Sequence, residues 1–175
     1  MCSSDLSENV LQFRCPRECG NGGPLMKVTG QITVQAPREQ VFDKIQDAEF
    51  FASCIDGVRD LRQIDETHYS AVMETKVAYI QFRFNIELEI ARMERPHFIE
   101  ARAVGPPAGV VGRMTSTSTT TLTENGDETI IDYVVDATLT GKLGSMGQPV
   151  LKSKARDMER EFTKRLRAAF AVETA

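Results

Sequence analysis

The sequence predicts an α+β helix-grip fold: a curved antiparallel β-sheet wrapped around one long C-terminal α-helix, with two short helices after the first strand. Three observations carry that prediction. Between Met26 and Leu139 most segments alternate apolar and polar residues at the two-residue period of half-buried strands. The links between the later segments are too short for crossover helices, so neighbouring strands pair antiparallel, with one dry face and one wet face. Beyond Leu143 the apolar period lengthens to helix spacing and holds it for roughly 28 residues, enough for a helix of about 40 Å.

The elements follow in order. Val28, Gly30, Ile32 and Val34 alternate on a first strand. Ala36-Pro37-Arg38-Glu39 opens a helix with Pro37 in its first turn, where a missing N–H costs nothing, and Val41, Phe42 and Ile45 give it one apolar face. A second short helix covers Ala48 to Ile55, with Asp47 as N-cap and Gly57 as stop. Five strands are then expected, marked by Tyr69–Val77, Ile80–Ile90, Ile99–Ala103, Met114–Thr123 and Ile131–Leu139, the last two joined by the hairpin turn Glu124-Asn125-Gly126-Asp127. The closing helix carries Met146, Val150, Leu151, Ala155, Met158, Phe162, Leu166 and Phe170 on one stripe.

At 175 residues and 19.5 kDa, with 41% apolar and 26% charged residues, the chain holds one domain with a real core. The division expected is a flexible N-terminal extension over 1–25, rich in turn formers, the helix-grip domain over 26–171, and a tail over 172–175. Cys15 and Cys19 have no second pair at zinc-ligand spacing, and Cys54 reads as a buried free thiol. A net charge of −4 argues against a nucleic-acid-binding surface over the whole molecule. No apolar run approaches the ~20 residues that span a bilayer, and Cys2-Ser3-Ser4-Asp5 does not open a secretory signal, so the expected location is cytoplasmic.

No residue set for catalysis, a metal or a cofactor emerges. His68 and His97 stand at strand ends without a neighbouring nucleophile, and Glu87 and Glu89 fall on the wet face of their strand. Gly141, Gly144 and Gly147 lack the strand-turn-helix setting of a phosphate loop. Cavity building is better supported. The inward positions include many small residues (Gly30, Ala71, Thr75, Ala101, Ala103, Ala137), and there is no Trp to fill the centre. An apolar pocket is therefore expected, lined by Phe82, Phe84, Ile86, Met114, Ser116, Ser118, Leu143, Met146 and Val150. The competing expectation is that Phe82, Phe84, Met73, Met114, Met146, Met158 and Phe162 pack it shut.

Hydroxyls occupy both faces of Met114–Leu122. Either Ser116, Ser118 or Thr120 orients the polar head of a ligand, such as a quinone carbonyl, or these residues simply favour strand and bond to backbone or water. The Gly/Pro-rich loop Val104–Gly112, with Val110 and Val111 at its tip, and the head of the long helix from Gly141 to Pro149 read as a pocket mouth or as ordinary turns. On the outer face of that helix, Lys152, Arg156, Arg160, Lys164 and Arg167 form a basic stripe, flanked by Glu159 and Glu161. It suits either contact with an anionic membrane or acidic partner, or plain solvation.

The stretches Met26-Lys27-Val28-Thr29-Gly30, Ala36-Pro37-Arg38-Glu39-Gln40-Val41-Phe42, Cys54-Ile55-Asp56-Gly57-Val58 and Asp136-Ala137, leading into Gly141-Lys142-Leu143-Gly144, resemble the CoxG (carbon monoxide dehydrogenase G-subunit) family, within the helix-grip (START-like, polyketide-cyclase-like) superfamily. The family's usual Cys-Ile-Pro-Gly stands here as Cys54-Ile55-Asp56-Gly57. The resemblance implies an accessory of a molybdenum hydroxylase of the aerobic carbon monoxide dehydrogenase type, acting in maturation or membrane recruitment at the inner face of the membrane. It also implies an interior that takes lipids, quinones or other apolar molecules. Three roles stay open: a quinone or lipid carrier, a tether using the basic stripe, and a cyclase or dehydratase.

Overall fold

A computed structural model of the chain describes residues 25–105 and 112–173. The element order is β1 (Leu25–Val34), α1 (Arg38–Gln46), α2 (Ala48–Cys54), β2 (Val58–Gln63), β3 (His68–Val77), β4 (Ile80–Glu94), β5 (Phe98–Gly105), β6 (Met114–Asn125), β7 (Glu128–Leu139), α3 (Gly141–Gly144) and α4 (Gln148–Glu173). The strands form one antiparallel sheet in the order β1-β7-β6-β5-β4-β3-β2. Every neighbour pair is sequential in the chain except β1–β7, which brings the start of the domain beside its last strand. The fold is the α+β helix grip that the change of period predicts. Of the extension expected over 1–25, Leu25 already belongs to β1 and residues 1–24 lie outside the described residues. Of the tail expected over 172–175, Val172 and Glu173 continue α4.

Local chemistry accounts for the short helices. Pro37 sits at the N-cap of α1 with φ −61°, and Asp47 ends α1 and caps α2 by accepting from the N–H groups of Glu49 (3.0 Å) and Phe50 (3.2 Å). Two elements differ from expectation. The strand β2 has no counterpart in the pattern, because its pairing with β3 shifts between Arg59 and Arg62 and Asp60 has φ 52°. That bulge puts its apolar residues, Val58 and Leu61, three apart and erases the two-residue period. Its charges also suit an edge strand. The long helix is not continuous from Leu143: α3 stops at Gly144, Gly147 takes φ +87°, and α4 then runs for 26 residues with Pro149 in its first turn.

The core is in two parts. One cluster joins α1, the end of β1 and the end of α4 through Val34, Val41, Phe42, Leu122, Leu166 and Phe170. The other joins the β3–β4 hairpin to the start of α4 through Met73, Val77, Phe82, Phe84, Leu139 and Leu151. From one cluster to the other, three rows of residues cross the concave face. Ile99, Ile90 and Tyr133 pack with the first cluster and Met26 with the second, and the small residues of the rows pack with neither. The rows are Leu88-Ala103-Ser116-Ala137-Met26, Ile90-Ala101-Ser118-Val135-Val28 and Ile99-Thr120-Tyr133-Gly30.

Candidate functional site: a chamber between two cores

The middle rows are small and unsealed. Ala101, Ala103, Ser116, Ser118 and Val135 are only half-buried, although each sits on a strand paired on both sides and on the inward face. Strand position does not force that exposure, since Ala137 on the same face is 6% exposed. On α4, Met158 and Phe162 are likewise half-buried, Met158 packed on one cluster and Phe162 on the other, edge-on to the Phe51 ring at 5.4 Å. The middle of the concave face is thus a strip of half-exposed methyl groups and hydroxyls, with a packed cluster on either side.

The expected lining residues divide. Ile86, Met114, Ser116, Ser118 and Met146 are half-buried, with Ile86, Met114 and Met146 packed on the cluster that closes one end. Phe82 and Phe84 are not wall. They are 1% and 2% exposed and lie nearly parallel, ring centroids 6.1 Å apart, inside that cluster. Val150 is also corrected: at 36% exposure it points to solvent, about 100° round the helix from buried Leu151. The side chain of Leu143 and the loop tip with Val110 and Val111 lie outside the described residues. At the same end, the Thr140 N–H donates to the Arg113 carbonyl at 2.9 Å and the Arg113 N–H donates to the Thr140 hydroxyl at 2.9 Å. These bonds tie the start of β6 to the exit from β7.

The hydroxyls of β6 are resolved by register. Ser116, Ser118 and Thr120 face in with Leu122, while Thr117 and Thr121 face out. Ser118 Oγ has only a 3.5 Å bond to the Ala101 carbonyl, and neither Ser116 nor Thr120 has a side-chain hydrogen bond among the described residues. Sequence reasoning missed the other polar group in this region. The Tyr133 hydroxyl donates to Glu159 Oε1, joining β7 to α4. Burial, then the bond to Glu159 and its charge, push the Tyr133 phenol well above its ordinary value. The pair lies over Gly30, where an added Cβ would stand 2.7 Å from Glu159 Oε1 and closer still to the Tyr133 ring. A signal existed: an inward Tyr opposite a Gly needs a polar partner. Glu159 also falls four residues after Ala155 and three before Phe162, on the flank of the inward stripe rather than outside it.

Residues 30–171 match the family model of CoxG, the G subunit of carbon monoxide dehydrogenase. The chain belongs to that family. Solved structures similar to it share its fold. A conserved protein from Geobacillus kaustophilus superposes with a TM-score of 0.76 at 23% identity, over 83% of this chain and 95% of that one. A START superfamily protein from Mycobacterium smegmatis gives 0.63 at 11% identity, over 83% and 97%. The di-domain ARO/CYC BexL of the BE-7585A biosynthetic pathway gives 0.56 at 15%, over 86% of this chain and 51% of that one. None of the curated proteins compared with the chain matches it. What the chain shares with these structures is the fold.

In this CoxG member the turn after α2 is tied to α4. Asp56 accepts from Arg165 of α4 at 3.4 Å, and the same guanidinium donates to the Ser53 carbonyl at 3.1 Å, so α2 and α4 are clipped together where Cys54 is buried. Burial raises the Cys54 thiol above its usual range, which leaves it a poor nucleophile. The histidines are surface residues: His68 pairs with Asp65 at 2.9 Å and His97 with Glu94 at 3.3 Å. No group of three or more metal-ligating side chains occurs among the described residues. All five residues of the basic stripe are exposed. Arg160 pairs with Asp157 at 3.7 Å and Arg167 donates to the Thr33 carbonyl at 3.3 Å, while Lys152, Arg156 and Lys164 have no partner among the described residues. No described helix is long and apolar enough to cross a membrane.

Proposed function

We propose that this CoxG-family protein is a non-catalytic accessory that carries an apolar molecule, a quinone or lipid, in the chamber between the sheet and α4. It serves a membrane-associated molybdenum hydroxylase of the carbon monoxide dehydrogenase type, from the cytoplasm and at the inner face of the membrane. The observation that carries this reading is the split core. A domain selected only to fold would fill the space over Ala101, Ala103, Ser116 and Ser118, because leaving inward methyl groups wet forfeits burial. Extraction of the purified protein followed by native mass spectrometry tests it. An apolar molecule co-purifying with the protein, or a short-chain quinone binding at one per protein, is expected. A protein that releases nothing and takes up neither quinone nor phospholipid is no carrier.

The second reading, a tether acting through the basic stripe, is favoured by the three unengaged cations Lys152, Arg156 and Lys164 on a chain of net charge −4. The third, a cyclase or dehydratase, needs a titratable group facing the chamber. Tyr133 and Glu159 are such a pair, but they are bonded to one another and the tyrosine is held protonated.

A further inference from the structure

From the placement of Tyr133 and Glu159 we infer that the chamber selects a neutral head that donates a hydrogen bond, a phenol, quinol or alcohol on an apolar body, and turns away carboxylate heads. This deepens the carrier reading and rests on it. Glu159 comes to the β1 side of the concave face through its bond to Tyr133, which stands in register with Thr120 and one row from Ser118. A carboxylate only accepts, and Tyr133 fills one of its roughly four lone-pair sites, so the rest are offered to an incoming O–H. Among the described residues, Glu159 makes no ion pair. Lys152, Arg156, Arg160 and Lys164 are exposed, and Arg165 and Lys154 lie on the opposite flank of α4, with Arg165 engaged by Ser53 and Asp56. An anionic head beside Glu159 would meet like charge. An acceptor-only head such as a quinone is still met by the unpartnered Ser116 and Thr120 hydroxyls, but it offers nothing to Glu159. Of a quinone and its quinol, the quinol is therefore the form preferred. Gly30 shows that the chain makes room for this pair, since any side chain there would displace it.

A matched set of probes tests the inference: para-nonylphenol, its methyl ether and para-nonylbenzoate, which share one apolar body and differ only in the head. Dissociation constants are measured by calorimetry on the wild-type protein, Glu159→Gln and Tyr133→Phe. Wild type is expected to bind the phenol at least about tenfold more tightly than the ether or the benzoate. Glu159→Gln should erase most of the handicap of the benzoate. Tyr133→Phe vacates an acceptor site on Glu159, so its phenol affinity should hold or rise even as its melting temperature falls. That pattern separates recognition from a purely structural strap and stands even where Glu159→Gln does not fold. All three probes binding alike, or the preference surviving Glu159→Gln unchanged, overturns the head selection and leaves the carrier intact. Failure of every probe to bind a wild-type protein that still takes up quinone or phospholipid overturns the inference alone. Failure of the probes, quinone and phospholipid together removes the carrier reading with it.

Discussion

Asp65 and His68 shift one another's ionisation, and they do so on the surface. The backbone N–H of Thr67 and the His68 ring lower Asp65 to about 2, and Asp65 in turn raises His68 above its ordinary 6.5. The signs define a window. A raised histidine contributes fully below 6.5, and that contribution is lost as pH climbs through its raised value. A lowered aspartate contributes above 3.8 and loses it as pH falls through about 2. The pair is therefore whole between roughly pH 4 and 6.5. In Asp65→Asn the NMR titration midpoint of His68 should drop back toward 6.5, with little change in melting temperature, because exposed pairs are screened. A midpoint that does not move means the pair does not exist in solution. At this scale the sequence is legible where one side chain decides the outcome: Asp47 as a cap, Cys54 as a buried thiol, both histidines at the surface. It is not legible at Glu159, because a charge on a helix flank looks the same whether it faces water or a tyrosine on a strand 26 residues away.

Elements are legible to the degree that they keep one period. The strands β3, β4, β5 and β7 repeat every two residues and α1 every three to four, so pattern alone finds them. The strand β6 shows itself instead by its run of β-favouring Thr and by the hairpin turn after it. The bulged β2 has no single period, and Gly147 interrupts the closing helix without disturbing its spacing, which is why neither break shows in the pattern. For α4, spacing also places five basic residues on one exposed stripe, and the structure adds which of them are engaged. If the stripe docks on membrane, the three free cations carry it, at roughly 1 kcal/mol per Lys or Arg near an anionic surface. The variant Lys152→Glu/Arg156→Glu/Lys164→Glu should then lose flotation with phosphatidylserine vesicles by well over about tenfold, while Arg160→Gln and Arg167→Gln do little. Equal flotation of wild type and the triple variant leaves the stripe as a solvated face.

At the scale of the whole molecule, the fold class follows from the change of period, but the chamber does not. Phe82, Phe84 and Val150 alternate or space like wall residues, yet periodicity gives only the face and not the distance along the sheet or helix. Position relative to the two clusters is a tertiary property, set by where α4 crosses and where the β3–β4 hairpin folds over its start. The split also predicts a stability cost that can be reversed. Ala103→Leu, in the row with Ser116, would bury added methylenes worth about 0.8 kcal/mol each if they enter open space. In a filled core the same change would cost about 1–3 kcal/mol through overpacking. The sign of the change in unfolding free energy, from urea titration, therefore reports whether the space is there. We expect Ala103→Leu to stabilise the protein by roughly 1 kcal/mol and to abolish uptake of para-nonylphenol, the exchange of function for stability expected when a binding space is packed. A destabilised variant that still binds would place the ligand elsewhere and leave Ala103 an ordinary core residue.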